Sequence, residues 1–304
     1  MVHHTRLPVE GYGGSERVAV ALVRGLVALG HQVTLIAPPG TRVPDATLVP
    51  VPAARLRDGA TDLSGFIPGD SDIVHAHFPM RSVRQPWVWT LHGTTPAGTV
   101  RPANTIYLSA DHAARHNSTS FVYNGLDPAD FTYHDTKDDY DLFLGRLHSS
   151  KGWQLAVQGA RMAGRSLVIA GGWRPSLSRS LRFAGEVAGK ERTDLLAGAR
   201  LLWMPAQWDE PFGLTLIEAL FSGTPVLGTP RGALPEVLSP EVSELGTTVE
   251  ELVARLPAMA EKRPADCRAR AERWFSHTVM AGEYLRFYQH YLETGQLPSG
   301  QRAL

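Results

Sequence analysis

One cysteine, Cys267, stands in the whole 304-residue chain. A lone thiol forms neither an internal disulfide nor a thiolate metal cluster, so the composition suits a reducing cytoplasm, with Cys267 in a structural role. Charge of one sign is equally scarce, because 30 Lys+Arg meet 30 Asp+Glu for a formal net charge of +0. That balance removes the electrostatic footprint of a protein that lives on nucleic acid, and any polyanion it holds should be small and locally gripped. No run approaches the roughly 20 apolar residues of a membrane span, and residues 1–14 have no apolar leader core. A soluble cytoplasmic protein without a transmembrane segment is expected. Composition leaves a peripheral membrane contact and the oligomeric state open.

What is present is an apolar fraction of 43%, enough for a sizeable core. Short apolar runs alternate with amphipathic stretches, the signal of repeated βα units around parallel sheets. Strands are expected at residues 31–38, 72–78, 87–92, 104–109 and 121–124, with a helix over 15–29 that Ser15 caps and Gly30 ends. Residues 126–140 turn acidic and irregular and read as a linker. A second series follows, with strands at 140–144, 166–170, 201–205 and 224–227 and helices near 153–163, 193–199 and 213–221. Met280, Tyr284, Phe287, Tyr288 and Tyr291 then recur at helical spacing, an aromatic stripe suited to packing the chain end onto a domain. The fold class is therefore α/β, with two doubly wound Rossmann-like domains facing a cleft. The first would cover residues 1–133, with the helix of 278–304 packing back onto it, and the second 134–277. Ligands of such sheets bind beyond the carboxyl ends of the strands, so the informative motifs should lie just after strands.

Asp209–Thr224 reads DEPFGLTLIEALFSGT and places seven residues between Glu210 and Glu218. Pro211 and Gly213 favour a tight entry into a helix whose first N–H groups suit a phosphate or a developing anion. The two carboxylates can accept hydrogen bonds from sugar and ribose hydroxyls; the plainer reading is one capping acid and one solvent-facing acid. Residues 144–152, LGRLHSSKG, follow a strand and put Arg146 and Lys151 at the same sheet edge. A guanidinium and an ammonium together match a pyrophosphate, although a solvated surface pair has the same spelling. The segment lacks the P-loop pattern, which argues against a nucleoside triphosphate hydrolase. GYGGSE, residues 11–16, offers close backbone approach ahead of a helix but not the third glycine of a dinucleotide fingerprint. His75, His77 and His92 sit at strand ends without a third metal ligand at convincing spacing, so hydrogen bonding by His77 or His92 is preferred to a metal site.

In this order, GYGGSERVAVALVRGLVALGHQVTLIAP, DIVHAHF, TLHGT, VYNGLDPADF, LFLGRLHSSKG and DEPFGLTLIEALFSGTPVLGTPRGALPEV resemble the retaining glycosyltransferases of family 4, whose fold is GT-B. The stretches span most of residues 11–237. The resemblance implies an acceptor-side first domain and a second domain that binds a nucleotide-sugar donor. It implies a catalytic set of Glu210 at the transferred sugar, Arg146 and Lys151 on the pyrophosphate, and His77 near the sugar. Donor contacts would come from Glu218 at the ribose, from backbone amides at Phe212, Gly213 and Leu214, from the loop at Gly13 and Gly14, and from Glu186 and Val187 beside the base. His92 is a candidate acceptor or sugar contact. The implied reaction is hexosyl transfer with retention, without metal or cofactor.

Two departures qualify the resemblance. Residues 1–8 offer only Val2 and Leu7 as interior apolar positions, so the first strand is expected to be short or absent, and residues 171–183 are shortened. A degenerate nucleotide-sugar-binding or partner-binding protein and a nucleotide-sugar epimerase are the alternatives. Donor sugar, base and acceptor are not specified by these residues.

Overall fold

The computed structural model describes residues 1–304 except 10, 12, 59–60, 81–82, 96–98, 100 and 304. The chain divides into two compact units, one formed by Met1–Asp127 with Phe275–Arg302 and the other by Pro128–Trp274.

Unit 1 opens with helix α1 (Gly14–Ala28), followed by β1 (Thr34–Ala37), β2 (Thr47–Pro50), α2 (Ala53–Arg57), β3 (Val74–Ala76), β4 (Trp87–Thr90), β5 (Thr105–Ile106) and α3 (Ala110–Ala114). Every strand pairing in it is parallel. The short first strand foreseen from residues 1–8 is a single bridging residue. Val2 pairs with Ile36 of β1 on one side and Ala76 of β3 on the other. Its N–H donates to the His75 carbonyl at 2.8 Å, and the His77 N–H donates to its own carbonyl at 3.2 Å. Val2 is wholly buried, so one residue occupies the central place and joins the pairs on either side in the order β2, β1, Val2, β3, β4, β5. Beneath this sheet Val2, Ile36, Val51, Leu56, Ile67, Val74 and Phe78 share one apolar cluster.

Helix α1 buries Val18, Leu22 and Leu26 one turn apart, the stripe its spacing predicts. Its start corrects the expected cap. Gly13, not Ser15, holds the N-cap position and supplies no side chain, while Ser15 is inside the helix and donates to Glu16 Oε2. Gly30 follows the helix end with φ of +89°, as the C-terminal signal requires. The C-terminal helix, His277–Thr294, also belongs to unit 1 and buries Met280, Tyr284, Phe287 and Tyr288. Its aromatic stripe does more than pack: Tyr288 Oη lies 2.6 Å from His75 Nδ1, and Tyr284 Oη lies 2.8 Å from Thr90 Oγ1.

Unit 2 contains β6 (Asp141–Leu144), α4 (Trp153–Met162), β7 (Leu167–Ala170), β8 (Leu181–Gly185), α5 (Gly189–Gly198), β9 (Leu202–Met204), α6 (Leu214–Phe221), β10 (Val226–Gly228), α7 (Leu234–Val237), β11 (Ser243–Leu245), α8 (Val249–Ala254), α9 (Leu256–Met259) and α10 (Pro264–Phe275). Its parallel sheet runs β11, β10, β9, β6, β7, β8, the doubly wound order with its switch point between β6 and β9. Phe143, Ile169, Trp203 and Leu227 from four strands pack with Ala156 and Ala160 of α4. At the opposite end of the strands, the fully buried Asp141 carboxylate accepts from Arg165 Nε and Nη2, both at 2.7 Å, and from Arg200 Nε and Trp203 Nε1 at 3.1 Å. A buried charge survives because its lone pairs are filled this way.

Candidate active site

The carboxyl edge of the unit 2 sheet gathers most of the residues that the sequence singles out. Two loops meet there, one after β6 and one after β9. Gly152 makes the meeting possible: its φ is +75°, and a Cβ at that position would stand 1.8 Å from the Pro205 carbonyl oxygen. Only the glycine residue type tolerates that backbone together with so close an approach. The Gln207 N–H then donates to the Ser150 carbonyl at 2.7 Å, tying the loops together. Their joining brings Lys151 Nζ to 2.6 Å from Glu210 Oε2, with both side chains mostly buried. Trp208 completes the wall, its ring lying under the Lys151 ammonium with 4.6 Å from Nζ to the ring centroid. An ammonium held by a carboxylate and an aromatic face is already desolvated and aimed.

Glu210 is fixed from behind as well. Its carbonyl accepts from the Ala233 N–H at 2.9 Å, and Thr229 Oγ1 donates to the Ala206 carbonyl at 2.7 Å. The chain then enters α6 through Gly213, at φ of +84°, and no side chain caps that start. Phe212 anchors the entry with a buried ring, and Leu214 is half-buried. Arg146, directly beyond β6, is exposed and makes no ion pair among the described residues. The edge thus offers an exposed guanidinium, an oriented ammonium and an uncapped helix start within one unit, a set of donors fit for a diphosphate.

Glu218 is not the solvent-facing acid of the plainer reading. It is wholly buried and accepts from Arg192 Nε of α5 at 3.1 Å and from Arg192 Nη2. A ribose at Glu218 would share that carboxylate with Arg192. Sequence reasoning misses Arg192 and Trp208. Trp208 stands next to the acidic motif, but nothing local marks Arg192, whose partner is 26 residues away. Glu186 and Val187 follow β8, two strands from β6; Glu186 is exposed and Val187 buried.

The remaining candidates lie in unit 1. His77 follows β3 and His92 follows β4, and His77 Nδ1 shares a hydrogen bond of 2.9 Å with His92 Nε2. His75 stacks on His77 with centroids 4.5 Å apart, and the His3 ring is 5.8 Å away. Burial pushes the imidazole pKa values down, His77 well below the usual range, His92 to about 3 and His3 to about 4. These rings are therefore neutral hydrogen-bonding groups at physiological pH. His77 Nε2 is buried and has no partner among the described residues. Gly13 has extended backbone, and a Cβ on it would press on Val9 and Glu16; Gly14 is the first residue of α1. Tyr12 of the glycine loop lies outside the described residues. Among the described residues no group of three or more His, Cys, Asp or Glu could hold a metal ion.

With this geometry in view, residues 12–127 match the family described as Glycosyltransferase Family 4, and residues 140–262 match that described as Glycosyl transferases group 1. The chain is 26% identical over 289 residues to a phosphatidyl-myo-inositol mannosyltransferase of Mycolicibacterium smegmatis, covering 75% of each. A protein of the same description from Mycobacterium tuberculosis is 24% identical, with 91% of this chain and 93% of the relative covered. Among solved structures, AviGT4, a glycosyltransferase involved in avilamycin A biosynthesis, aligns with a TM-score of 0.80 and 29% identity over 97% of this chain and 94% of that one.

Proposed function

Because the chain belongs to the glycosyltransferases of group 1 and family 4, enzymes with the GT-B fold, we propose that it moves a sugar from a nucleotide-diphosphate donor to an acceptor hydroxyl, with retention and without a metal. The Lys151–Glu210 pair beside the uncapped start of α6 carries this reading. Breaking a glycosyl–phosphate bond leaves negative charge on the diphosphate while positive character grows at the sugar carbon. Arg146, Lys151 and the first amides of α6 answer the first charge, and the Glu210 carboxylate answers sugar hydroxyls and the second. Groups fixed before the reaction stabilise developing charge without reorganising, which is where most of the acceleration of such a step arises. The departing phosphate would take the acceptor's proton on the same face, so no separate base is required of the protein. In unit 1, His77 and His92 offer neutral imidazoles to hydroxyl groups, and the unpaired His77 Nε2 is the atom with most to gain.

Incubating the protein with a panel of nucleotide-sugars and candidate acceptors, with and without a chelator, tests this reading. The expected product keeps the donor's anomeric configuration and forms equally in the chelator. An inverted product, or loss of transfer on chelation, would overturn the mechanism proposed.

A further inference from the structure

Charge balances over the whole chain but not along it. Residues 142–185 carry seven Lys and Arg and no Asp or Glu. Arg146 and Lys151 belong to the candidate site, Arg165 is bound to Asp141, and Arg182 lines a separate shallow groove together with Asp138 and Asp194. Arg161, Arg174 and Arg179 are left: all three are exposed and form no ion pair among the described residues. The same stretch holds three of the five large apolar side chains that are exposed among the described residues. Met162 is 50% exposed, Trp173 69%, and Leu177 fully. Met162 lines a groove of about 510 Å³ between α4 and β8, floored by Trp153, Val157, Leu181 and Phe183 and rimmed by Arg161 and Arg174, while Trp173 and Leu177 flank in sequence the Arg174, Pro175 and Ser176 of its lip. The Arg174 guanidinium sits over the Trp153 ring at 5.2 Å. The groove is open because the connection from β7 to β8 contains no helix to cover it.

We propose that this face of unit 2 docks on an anionic lipid bilayer, with Trp173 and Leu177 entering the headgroup boundary while Arg161, Arg174 and Arg179 meet lipid phosphates. A lone exposed apolar residue needs no explanation, but an exposed tryptophan and leucine four residues apart on one loop, with Arg174 and Arg179 unpaired among the described residues, do. Water exacts a cost from both apolar groups. An interface that is apolar below and anionic above satisfies the whole set at once, since indole prefers the headgroup level and each nearby arginine adds attraction to acidic lipid. A nucleic acid would use the arginines but gain little from Leu177 and Met162, so a bilayer is the occupant the residues favour.

Sedimentation of the full chain with vesicles tests the proposal, using phosphatidylcholine alone and an equal mixture of phosphatidylcholine and phosphatidylglycerol. Binding is expected to the mixed vesicles, to weaken with added salt, and to fall at least about tenfold in Arg161→Glu/Arg174→Glu. Trp173→Ser/Leu177→Ser should also lose binding, with its thermal midpoint and nucleoside diphosphate affinity unchanged. Because Leu177 touches solvent on all sides, Leu177→Ser alone separates lost docking from lost folding. Equal binding to both vesicle types, undiminished binding by either variant, or displacement by a short single-stranded DNA would each overturn the bilayer as the partner.

Discussion

The two units share one strand order yet furnish the carboxyl edges of their sheets with different chemistry. Ten of the twelve histidines fall in unit 1, where β3 and β4 end in stacked, buried, neutral imidazoles. In unit 2 the same edge holds Lys151 against Glu210, an exposed Arg146 after β6, and a half-buried Arg192 paired with the buried Glu218. Imidazoles kept neutral by burial exchange hydrogen bonds with hydroxyls and impose no charge. Fixed ions and helix amides answer a group that gains charge as a bond breaks. On the function proposed above, one architecture would serve two demands, with the side chains at the strand ends, not the strand order, deciding which.

The comparison breaks most visibly if the ionic unit loses an ion. Asp141→Ala would leave Arg165 and Arg200 facing an apolar hole, and unfolding in denaturant should show unit 2 weaker by about 3–5 kcal/mol, with hydrogen exchange in unit 1 unaltered. Next in size is catalysis. Arg146→Ala, Lys151→Ala and Glu210→Ala should each slow transfer by about 10²-fold in steady-state assays while the fold persists; full turnover in all three would remove unit 2's edge from the reaction.

Acid sharpens the contrast between the units. In unit 1 burial lowers the pKa of His3 and His112 to about 4 and of His92 to about 3. Unfolded imidazoles titrate near 6.5, so below that pH the unfolded chain binds more protons and stability falls until the folded pKa values are reached. Hydrogen exchange followed from pH 7 to about 4 should therefore show unit 1 opening before unit 2. The smallest effects concern helix starts. Ser276 Oγ accepts from the Val279 N–H at the C-terminal helix, so Ser276→Ala should cost about 1 kcal/mol. Ser15→Ala, at a residue that caps nothing, should change thermal stability by less than about 0.5 kcal/mol.

The legible parts of the molecule are those whose cause is local. Thr34–Ala37, Trp87–Thr90 and Leu167–Ala170 are apolar runs that read as strands, and the stripe of α1 reads from its spacing. The pairing of Glu210 with Lys151 was half visible: both residues stand in recognisable motifs, but their contact depends on Gly152 meeting Pro205 across 53 residues of chain. Strands β2 and β11 escape because TLVP is an exposed edge with a proline and SEL is largely polar. Helix α10, PADCRARAERWF, is too charged to show a clean apolar period. Residues 1–8 carry too few apolar positions to signal more than a short or absent strand, and a single residue, Val2, suffices where both flanking strands supply the remaining hydrogen bonds. The links from His75 to Tyr288 and from Glu218 to Arg192 join residues far apart in sequence, and no local pattern encodes them.

Calorimetric titration of a panel of nucleoside diphosphates into the wild type, Arg146→Ala and Lys151→Ala reaches the central assignment without needing the acceptor. Salt-sensitive binding of at least one diphosphate is expected, weakened about tenfold or more by either substitution, in proportion to a lost charge-assisted contact. Equal affinity in all three proteins would mean that the diphosphate is held elsewhere.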